Sequence, residues 1–239
     1  MSILILGKGY VGSALCEAIS GSKGTNRTVK HPGNLTFDLN NQATWQRLPE
    51  YETVIWTFPA TPVRQVSRFY RAQLTKCKNL IILASTSAYK VKRQKELITE
   101  ESELDTSILR VQGEEYLRKK GATILNLAGI YGPNRDPVSW LHRSLIKNPD
   151  KLVNLIHLDD IVYCIKTLIE NPQAGERFNL SDGKARSWRE IGAKVGYDFR
   201  MPGMRELSKI IDNTKIRTIL PKNYQFKDLY SVCQPKSFN

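Results

Sequence analysis

The chain has 239 residues, of which 41% are hydrophobic and 25% charged, and its net charge at neutral pH is +13. These values are typical of a globular domain and exclude a fibrous or wholly disordered chain. No apolar stretch approaches the roughly 20 residues of a membrane helix, and the 4 cysteines form no C-x-x-C pair, so neither a membrane span nor a metal site is predicted.

The chain begins with a short apolar run, Ile3 to Leu6, and residues 11–19 that follow show helical spacing of apolar side chains. Further apolar runs lie at residues 53–58, 80–84 and 122–127, with helical segments between them. Another helix is predicted at residues 158–169, and short helices are expected after residue 186. Strands that alternate with helices predict parallel βαβ units and an α/β fold with a doubly wound sheet.

A glycine-rich loop joins the first strand to the first helix. Residues 7–12 read GKGYVG and match G-x-G-x-x-G. In such a loop Gly7 permits the tight turn, Gly9 lets the backbone approach a pyrophosphate, and Gly12 allows close packing of helix and strand. The helix N-terminus at Tyr10 and Val11 then offers free amides to the phosphates. The loop predicts a Rossmann-like site for a nicotinamide dinucleotide.

The residues after the loop indicate which dinucleotide is bound. Sites selective for NAD carry an acidic residue about 20 positions further on, where it binds the ribose hydroxyl. Residues 24–31 read GTNRTVKH and contain no acid. Arg27 and Lys30 stand where a 2′-phosphate would lie. NADP is therefore the predicted cofactor, with NAD as the alternative.

Several motifs occur together in one order and spacing. They are residues 7–12 (GKGYVG), 37–39 (FDL), 85–89 (STSAY), 127–133 (LAGIYGP), 156–161 (IHLDDI) and 178–182 (FNLSD). Over roughly residues 1–195 this set resembles the short-chain dehydrogenase/reductase superfamily, in its extended or atypical branch of the NAD-dependent epimerase/dehydratase type. The resemblance implies a Rossmann domain over residues 1–130, joined by about 153–170, and a small C-terminal substrate lobe over 131–239.

The resemblance also implies roles for individual residues. Asp38 would contact the adenine, and residues 131–135 would open the substrate region. Residues Ser85 to Ser87 would face the nicotinamide. His157, with Asp159 and Asp160, would be architectural. The strand end expected to line the cofactor includes Phe58, Pro59 and Ala60.

The chain departs from the superfamily at its catalytic Tyr-x-x-x-Lys pair, which lies on a helix one turn apart. Counting back from residues 113–115 (GEE) places the pair at Thr106 and Arg110. Threonine does not ionise near neutral pH, and arginine keeps its charge without relaying a proton. Tyr89 and Tyr116 are the candidate substitute acids. At Asn126, related proteins commonly carry an arginine.

Three functions remain open. The first is an NADP(H)-dependent oxidoreductase or epimerase-like enzyme, in which Ser85 or Thr86 polarises a small carbonyl or a nucleotide-linked sugar. The second is a non-catalytic NADP(H)-binding regulatory or redox-sensing protein, since the usual catalytic pair is missing. The third is RNA binding, because the chain is strongly basic. The N-terminus resembles no secretory leader, so a cytoplasmic location is expected.

Overall fold

The computed structural model describes residues 2–28 and 35–233. The strands are β1 (Ile3–Leu6), β2 (Lys23–Asn26), β3 (Leu35–Thr36), β4 (Thr53–Trp56), β5 (Asn79–Ser85), β6 (Glu96–Ile98), β7 (Thr123–Leu127), β8 (Gly129–Tyr131), β9 (Leu152–Val153), β10 (Leu155–His157), β11 (Arg177–Leu180), β12 (Arg186–Ser187) and β13 (Lys209–Ile211). The helices are α1 (Tyr10–Ala18), α2 (Gln42–Trp45), α3 (Val63–Phe69), α4 (Leu109–Arg118), α5 (Pro137–His142), α6 (Leu158–Glu170), α7 (Trp188–Lys194), α8 (Thr214–Arg217) and α9 (Leu229–Val232). A π-helical turn (Tyr70–Leu74) continues α3, and a 3-10 turn (Thr86–Ala88) follows β5.

The central sheet has seven strands in the order β11-β7-β5-β4-β1-β2-β3. The strand β1 pairs in parallel with both β2 and β4, and the pairs β2–β3 and β4–β5 are also parallel. From β1 the chain moves outward to β3, and it then returns to β4 and builds the other side. The strand order therefore reverses between β1 and β4, which opens a crevice at the carboxyl ends of these strands. The predicted Rossmann-like, doubly wound parallel sheet is confirmed.

The central strands are largely apolar because helices cover both faces of a parallel sheet. All residues of β1 and β4 are buried. Beside them, Phe69 packs against three other buried aromatic rings, with centroid distances of 4.8 Å to Phe37, 5.2 Å to Trp45 and 5.7 Å to Trp56. This cluster anchors α2 and α3 on the sheet and so fixes the strand ends that line the crevice.

The chain forms two compact units. The first runs to Ala88 and adds Leu104–Asn126 and Val162–Phe178. The second contains Tyr89–Glu103, Leu127–Ile161 and the described residues from Asn179 onward. The chain thus enters the second unit before the predicted boundary at residue 130.

The second unit is built from three small two-stranded sheets, β8–β10, β9–β12 and β6–β13, and from short helices. Its core contains Tyr131, Leu141, Ile191 and Phe199 among other buried side chains. A capping box starts α7, in which Ser187 accepts from the Glu190 backbone and Glu190 accepts from the Ser187 backbone. No helix among residues 2–28 and 35–233 combines the length and the apolarity needed to cross a membrane.

Candidate dinucleotide site

The three glycines of the loop have different structural reasons to be glycine. Gly7 has a φ of +97°, a conformation that side chains with a Cβ rarely adopt. A Cβ on Gly12 would lie 1.9 Å from the Gly7 carbonyl oxygen, so the helix can approach the loop only without one. A Cβ on Gly9 would meet nothing within 4 Å. The fold therefore requires glycine at positions 7 and 12, whereas at position 9 it leaves open space beside the backbone.

Hydrogen bonds from both neighbouring strands hold this loop. The Thr57 hydroxyl, just after β4, donates to the Gly7 carbonyl at 2.7 Å. From β2, Thr25 Oγ1 accepts from the Gly7 amide at 3.0 Å, and the Thr25 carbonyl accepts from the Lys8 amide at 2.8 Å. Gly9 is the N-cap of α1 and makes no side-chain cap hydrogen bond at this end of the helix, which is the end that favours anions.

A cavity of about 470 Å³ opens beside the loop. Four segments of the first unit line it, namely residues 7–9, 25–27, 37–40 and 58–61 (except Ala60). Its size falls within the usual range for small-molecule and cofactor sites. Of the predicted cofactor residues, the cavity brings together Gly7, Gly9, Arg27, Asp38, Phe58 and Pro59.

The remaining predicted cofactor residues lie just outside this cavity. Tyr10, Val11 and Gly12 form the first turn of α1. Ala60 is buried, and its carbonyl oxygen would lie 1.9 Å from a Cβ on Gly113 in α4. Ala60 therefore packs against a helix. Thr61 is the residue after Pro59 that lines the cavity.

Arg27 and Asp38 form an ion pair at the cavity. Arg27 directly follows β2, and its Nε lies 3.9 Å from Asp38 Oδ2. The Asp38 side chain is held by the Asn40 amide at 2.9 Å, whereas the Arg27 side chain is 78% exposed. A pair this long and this exposed is weak, so Arg27 can turn to another anion. Lys30 lies outside the described residues.

Ser85 and Arg110 meet through one intervening side chain. Ser85 is the last residue of β5, and its Oγ lies 3.1 Å from Ser87 Oγ. Arg110 Nη2, on α4, donates to the same Ser87 oxygen at 2.8 Å. Thr86 is buried within the 3-10 turn between the two serines. Because β1, β4 and β5 are adjacent and parallel, this cluster lies at the same carboxyl edge of the sheet as the glycine loop.

Thr106 does not share a helix with Arg110. The helix α4 begins at Leu109, so Thr106 lies in the turn before it with an exposed side chain. Its carbonyl oxygen accepts from Gln112 Nε2 at 2.9 Å. The expectation that the pair sits one helical turn apart is wrong here because the helix starts three residues too late.

The two candidate substitute acids are engaged elsewhere. The buried Tyr89 hydroxyl donates to Asn179 Oδ1 at 2.7 Å within the second unit. The Tyr116 ring packs edge-on against Tyr70, with centroids 6.0 Å apart. These contacts are typical of structural tyrosines.

Sequence reasoning did not single out Glu114. Its side chain is 1% exposed, and its Oε1 accepts from Arg110 Nη1 at 3.1 Å. The other oxygen, Oε2, is buried without a hydrogen-bond partner among the described residues. Burial raises the pKa of the Glu114 carboxyl to about 7, against the opposing effect of the Arg110 and Arg177 charges. Only the resemblance of residues 113–115 to a family segment marked this position in the sequence.

A buried arginine on the neighbouring strand contacts Asn126. Arg177 on β11 is buried, and its Nη1 donates to Asn126 Oδ1 on β7 at 3.0 Å. Its Nη2 also pairs with Glu115 on α4. Asn126 is therefore held by a buried guanidinium that also pairs with α4.

His157 and its neighbours belong to the second unit. The His157 Nδ1 accepts from the Asp159 amide at 3.1 Å, and burial lowers the pKa of this imidazole. Asp160 accepts from the Tyr224 hydroxyl at 2.6 Å and from the Lys227 amide at 3.0 Å. Each of these groups ties the start of α6 to the chain around it. The described residues contain no group of three His, Cys, Asp or Glu side chains that could hold a metal ion.

Comparisons with known proteins place this geometry in context. No family model matches the chain. Protein YeeZ of Escherichia coli K12 is 30% identical over 112 residues, which are 44% of this chain and 41% of that protein. Protein YeeZ of Escherichia coli O157:H7 gives the same values. The matched region thus spans less than half the length of these curated relatives.

Solved structures match over nearly the whole chain. MoeE5 in complex with UDP-glucuronic acid and NAD has a TM-score of 0.77 and 14% identity, covering 99% of this chain and 97% of its own. A short-chain dehydrogenase/reductase superfamily protein from Agrobacterium tumefaciens with bound NAD has a TM-score of 0.74 and 16% identity, covering 98% and 95%. ADP-L-glycero-D-manno-heptose-6-epimerase from Helicobacter pylori has a TM-score of 0.73 and 15% identity, covering 98% and 94%. The chain therefore has the fold of the epimerase and short-chain dehydrogenase/reductase proteins, which confirms the resemblance at the level of the fold.

Proposed function

We propose that this chain binds a nicotinamide dinucleotide, with preference for NADP(H), and acts as an oxidoreductase or epimerase-like protein with an altered proton-relay site. The observation that carries the proposal is Gly9. Its backbone lines the cavity at the start of α1, and open space surrounds the place where a Cβ would stand. The fold does not need glycine there, but a pyrophosphate approaching the helix N-terminus does.

The preference for NADP(H) rests on Arg27. It is the cation at the end of β2 that lines the cavity, and its weak pair with Asp38 leaves guanidinium donors available to a 2′-phosphate. Arginine suits this task because its donors match the geometry of phosphate oxygens. Asp38 would remain close to the adenosine end, as the resemblance implies.

Chemistry at the other end of the cofactor would rest on Ser85, Ser87 and Arg110. When bound, the cofactor supplies or accepts the hydride. The serine hydroxyls can hydrogen-bond a substrate carbonyl, and the Arg110 charge polarises the same hydrogen-bonded group. MoeE5, with the same fold, binds UDP-glucuronic acid, so a nucleotide-linked sugar is one substrate class to assay beside small carbonyl compounds.

The test is titration calorimetry with NADP, NADPH, NAD and NADH on wild type, Gly9→Ala and Gly9→Val. We expect tightest binding of the phosphorylated forms by wild type, weaker binding by the alanine variant and loss of binding by the valine variant. Thermal melts should show all three proteins folded, because a Cβ at position 9 would meet nothing within 4 Å. Equal affinity for NADP in wild type and Gly9→Val would refute the proposal.

The second candidate function is a non-catalytic binder of the same cofactor. The observation that favours it is Thr106, which lies exposed before α4 and carries no ionisable group. Turnover of any carbonyl or sugar-nucleotide substrate by wild type, lost on removal of Arg110, would decide for the enzyme. Cofactor binding without turnover over the whole panel would decide for the binder.

A further inference from the structure

Four side chains of the first unit form a continuous row from the sheet edge into the protein. Ser85 contacts Ser87 at 3.1 Å, Ser87 accepts from Arg110 at 2.8 Å, and Arg110 donates to Glu114 at 3.1 Å. The outer end of the row is polar and lies at the carboxyl edge of β5. The inner end is a carboxyl group that is 1% exposed.

We propose that Glu114 is a positioning residue that holds Arg110 against Ser87. The ionisation of Glu114 then decides whether a net positive charge acts on Ser85 and Ser87. The proposal rests on the proposed function, because it concerns how the same site treats the cofactor. In this proposal an Arg–Glu pair supplies the positive charge beside the nicotinamide, in place of the absent Tyr–Lys pair.

The arrangement makes the charge of the row depend on one carboxyl. An arginine side chain is a permanent cation in proteins, so an ionised Glu114 neutralises the charge of Arg110 and a protonated Glu114 does not. One Glu114 oxygen already accepts from Arg110, and the other has no partner among the described residues. A buried oxygen without a partner accommodates a proton more readily than a negative charge.

Other charged groups around Glu114 are accounted for by their own contacts. Glu115, on the same helix, pairs with Arg118 and Arg177. From β11, the Arg177 charge favours ionisation of Glu114 but is shared with Glu115. The charged side chains of the neighbouring helix α3, Arg64 and Arg68, are exposed. Arg68 donates a hydrogen bond to Gln42.

The expected effect follows from the charge of the nicotinamide ring, which is positive when oxidised and neutral when reduced. The resemblance implies that this ring faces Ser85 and Thr86. An unneutralised Arg110 disfavours the oxidised ring, so low pH should favour the reduced cofactor and high pH the oxidised one. The ratio of the dissociation constants, oxidised over reduced, should fall as the pH rises from 6.5 to 8.5. Phosphate titration cancels in this ratio because both forms carry the same phosphates.

We expect the ratio to differ by about fivefold between fully protonated and fully ionised Glu114, which lies at the lower end of typical couplings between sites. With a pKa near 7, about 2.5-fold of this change falls between pH 6.5 and 8.5. A fivefold coupling corresponds to a change of about 0.7 in the pKa of Glu114 on binding of the oxidised form. For a carboxyl that is half protonated near pH 7, about a third of a proton is then released. Calorimetry of NADP binding at pH 7 in two buffers of different ionisation enthalpy measures the total proton release, and the difference between wild type and Glu114→Gln isolates the contribution of the carboxyl.

The decisive variant is Glu114→Gln, whose amide oxygen can still accept from Arg110 but whose side chain cannot ionise. It should bind both cofactor forms with a ratio that is constant over pH 6.5 to 8.5, and it should release about a third of a proton less than wild type on binding NADP. A merely structural role would be preserved by glutamine and would leave the pH profile unchanged. Glu115→Gln is the matched control, since Arg118 and Arg177 outweigh burial and keep the pKa of Glu115 low. It should keep a pH-dependent ratio, with the transition moved to lower pH because the Glu115 charge that raises the pKa of Glu114 is removed.

A second variant keeps the test decisive if Glu114→Gln does not fold. Arg110→Gln removes the charge through which Glu114 acts, so its ratio should also be independent of pH. A pH-independent ratio in wild type, or a wild-type profile in either variant, would overturn the inference while leaving cofactor binding intact. Failure of wild type to bind either form at any pH would overturn the proposed function itself.

Discussion

The buried Glu114 carboxyl should make the stability of the protein fall as the pH rises. Its pKa is about 7 in the folded chain, whereas the ordinary value is 4.5. Below pH 4.5 both folded and unfolded chains carry the proton. Between the two values only the folded chain keeps it, so the unfolded chain gains the free energy of ionisation. Above pH 7 both have lost the proton, and the loss of stability is complete.

The magnitude follows from the difference of about 2.5 between the two pKa values. Each unit corresponds to about 1.4 kcal/mol, so the free energy of unfolding should fall by about 3 kcal/mol between pH 4.5 and 8. The side chain is 1% exposed, so solvent screening does not reduce this figure materially. Glu114→Gln removes the titrating group and keeps a hydrogen-bond acceptor for Arg110.

Urea unfolding of wild type and Glu114→Gln, followed by circular dichroism at constant ionic strength, measures this effect. The two proteins should have similar stability near pH 4.5, and the variant should be more stable by about 3 kcal/mol at pH 8. Subtracting the two profiles removes the titration of all other groups. A difference between the profiles that stays constant from pH 4.5 to 8 would refute the reasoning, since Glu114 would then ionise at its ordinary value.

Three further predictions concern the glycine loop, the phosphate contact and the buried arginine. Gly12→Ala should destabilise the fold by about 1–3 kcal/mol or more in urea unfolding, because its Cβ has no room, whereas Gly9→Ala should leave stability nearly unchanged. Arg27→Ala should weaken NADP binding by about 10- to 150-fold and leave NAD nearly unchanged, and equal losses in calorimetry would assign Arg27 to loop support. Arg177→Asn should cost about 3–5 kcal/mol, and the double variant with Asn126→Arg should recover part of that loss in the same unfolding assay.

The strands that sequence predicted are those with continuous apolar runs. β1, β4, β5 and β7 were all recognised this way, and α6 follows the predicted helical spacing at residues 158–169. The strand β2 escaped recognition because its sequence, KGTN, has no apolar pattern. It is a strand because it pairs with β1 and β3, and backbone hydrogen bonds do not depend on side-chain hydrophobicity.

The features of the site that sequence predicted are likewise local in the chain, and those that it missed depend on contacts between distant residues. The glycine loop is local, so its spacing predicted where the cavity lies. Arg110 was placed by counting along the chain, but its contact with Ser87 spans 23 residues. The hydrogen bond between Arg177 and Asn126 spans 51 residues, and no local sequence pattern predicts it. RNA binding stays a prediction that rests on the net charge of +13.

The altered pair changes which part of superfamily chemistry this site can supply. A Tyr–Lys pair contributes both a positive charge and a transferable proton, whereas Arg110 contributes only the charge. Hydride transfer to a carbonyl leaves an alkoxide that needs a proton, and a positioned acid typically speeds such steps by about 10²- to 10⁴-fold. Without one, the proton must come from water or from the substrate. Under the proposed function, the site would therefore be better equipped to bind and polarise an electron-rich substrate atom beside Ser85 than to complete its reduction quickly.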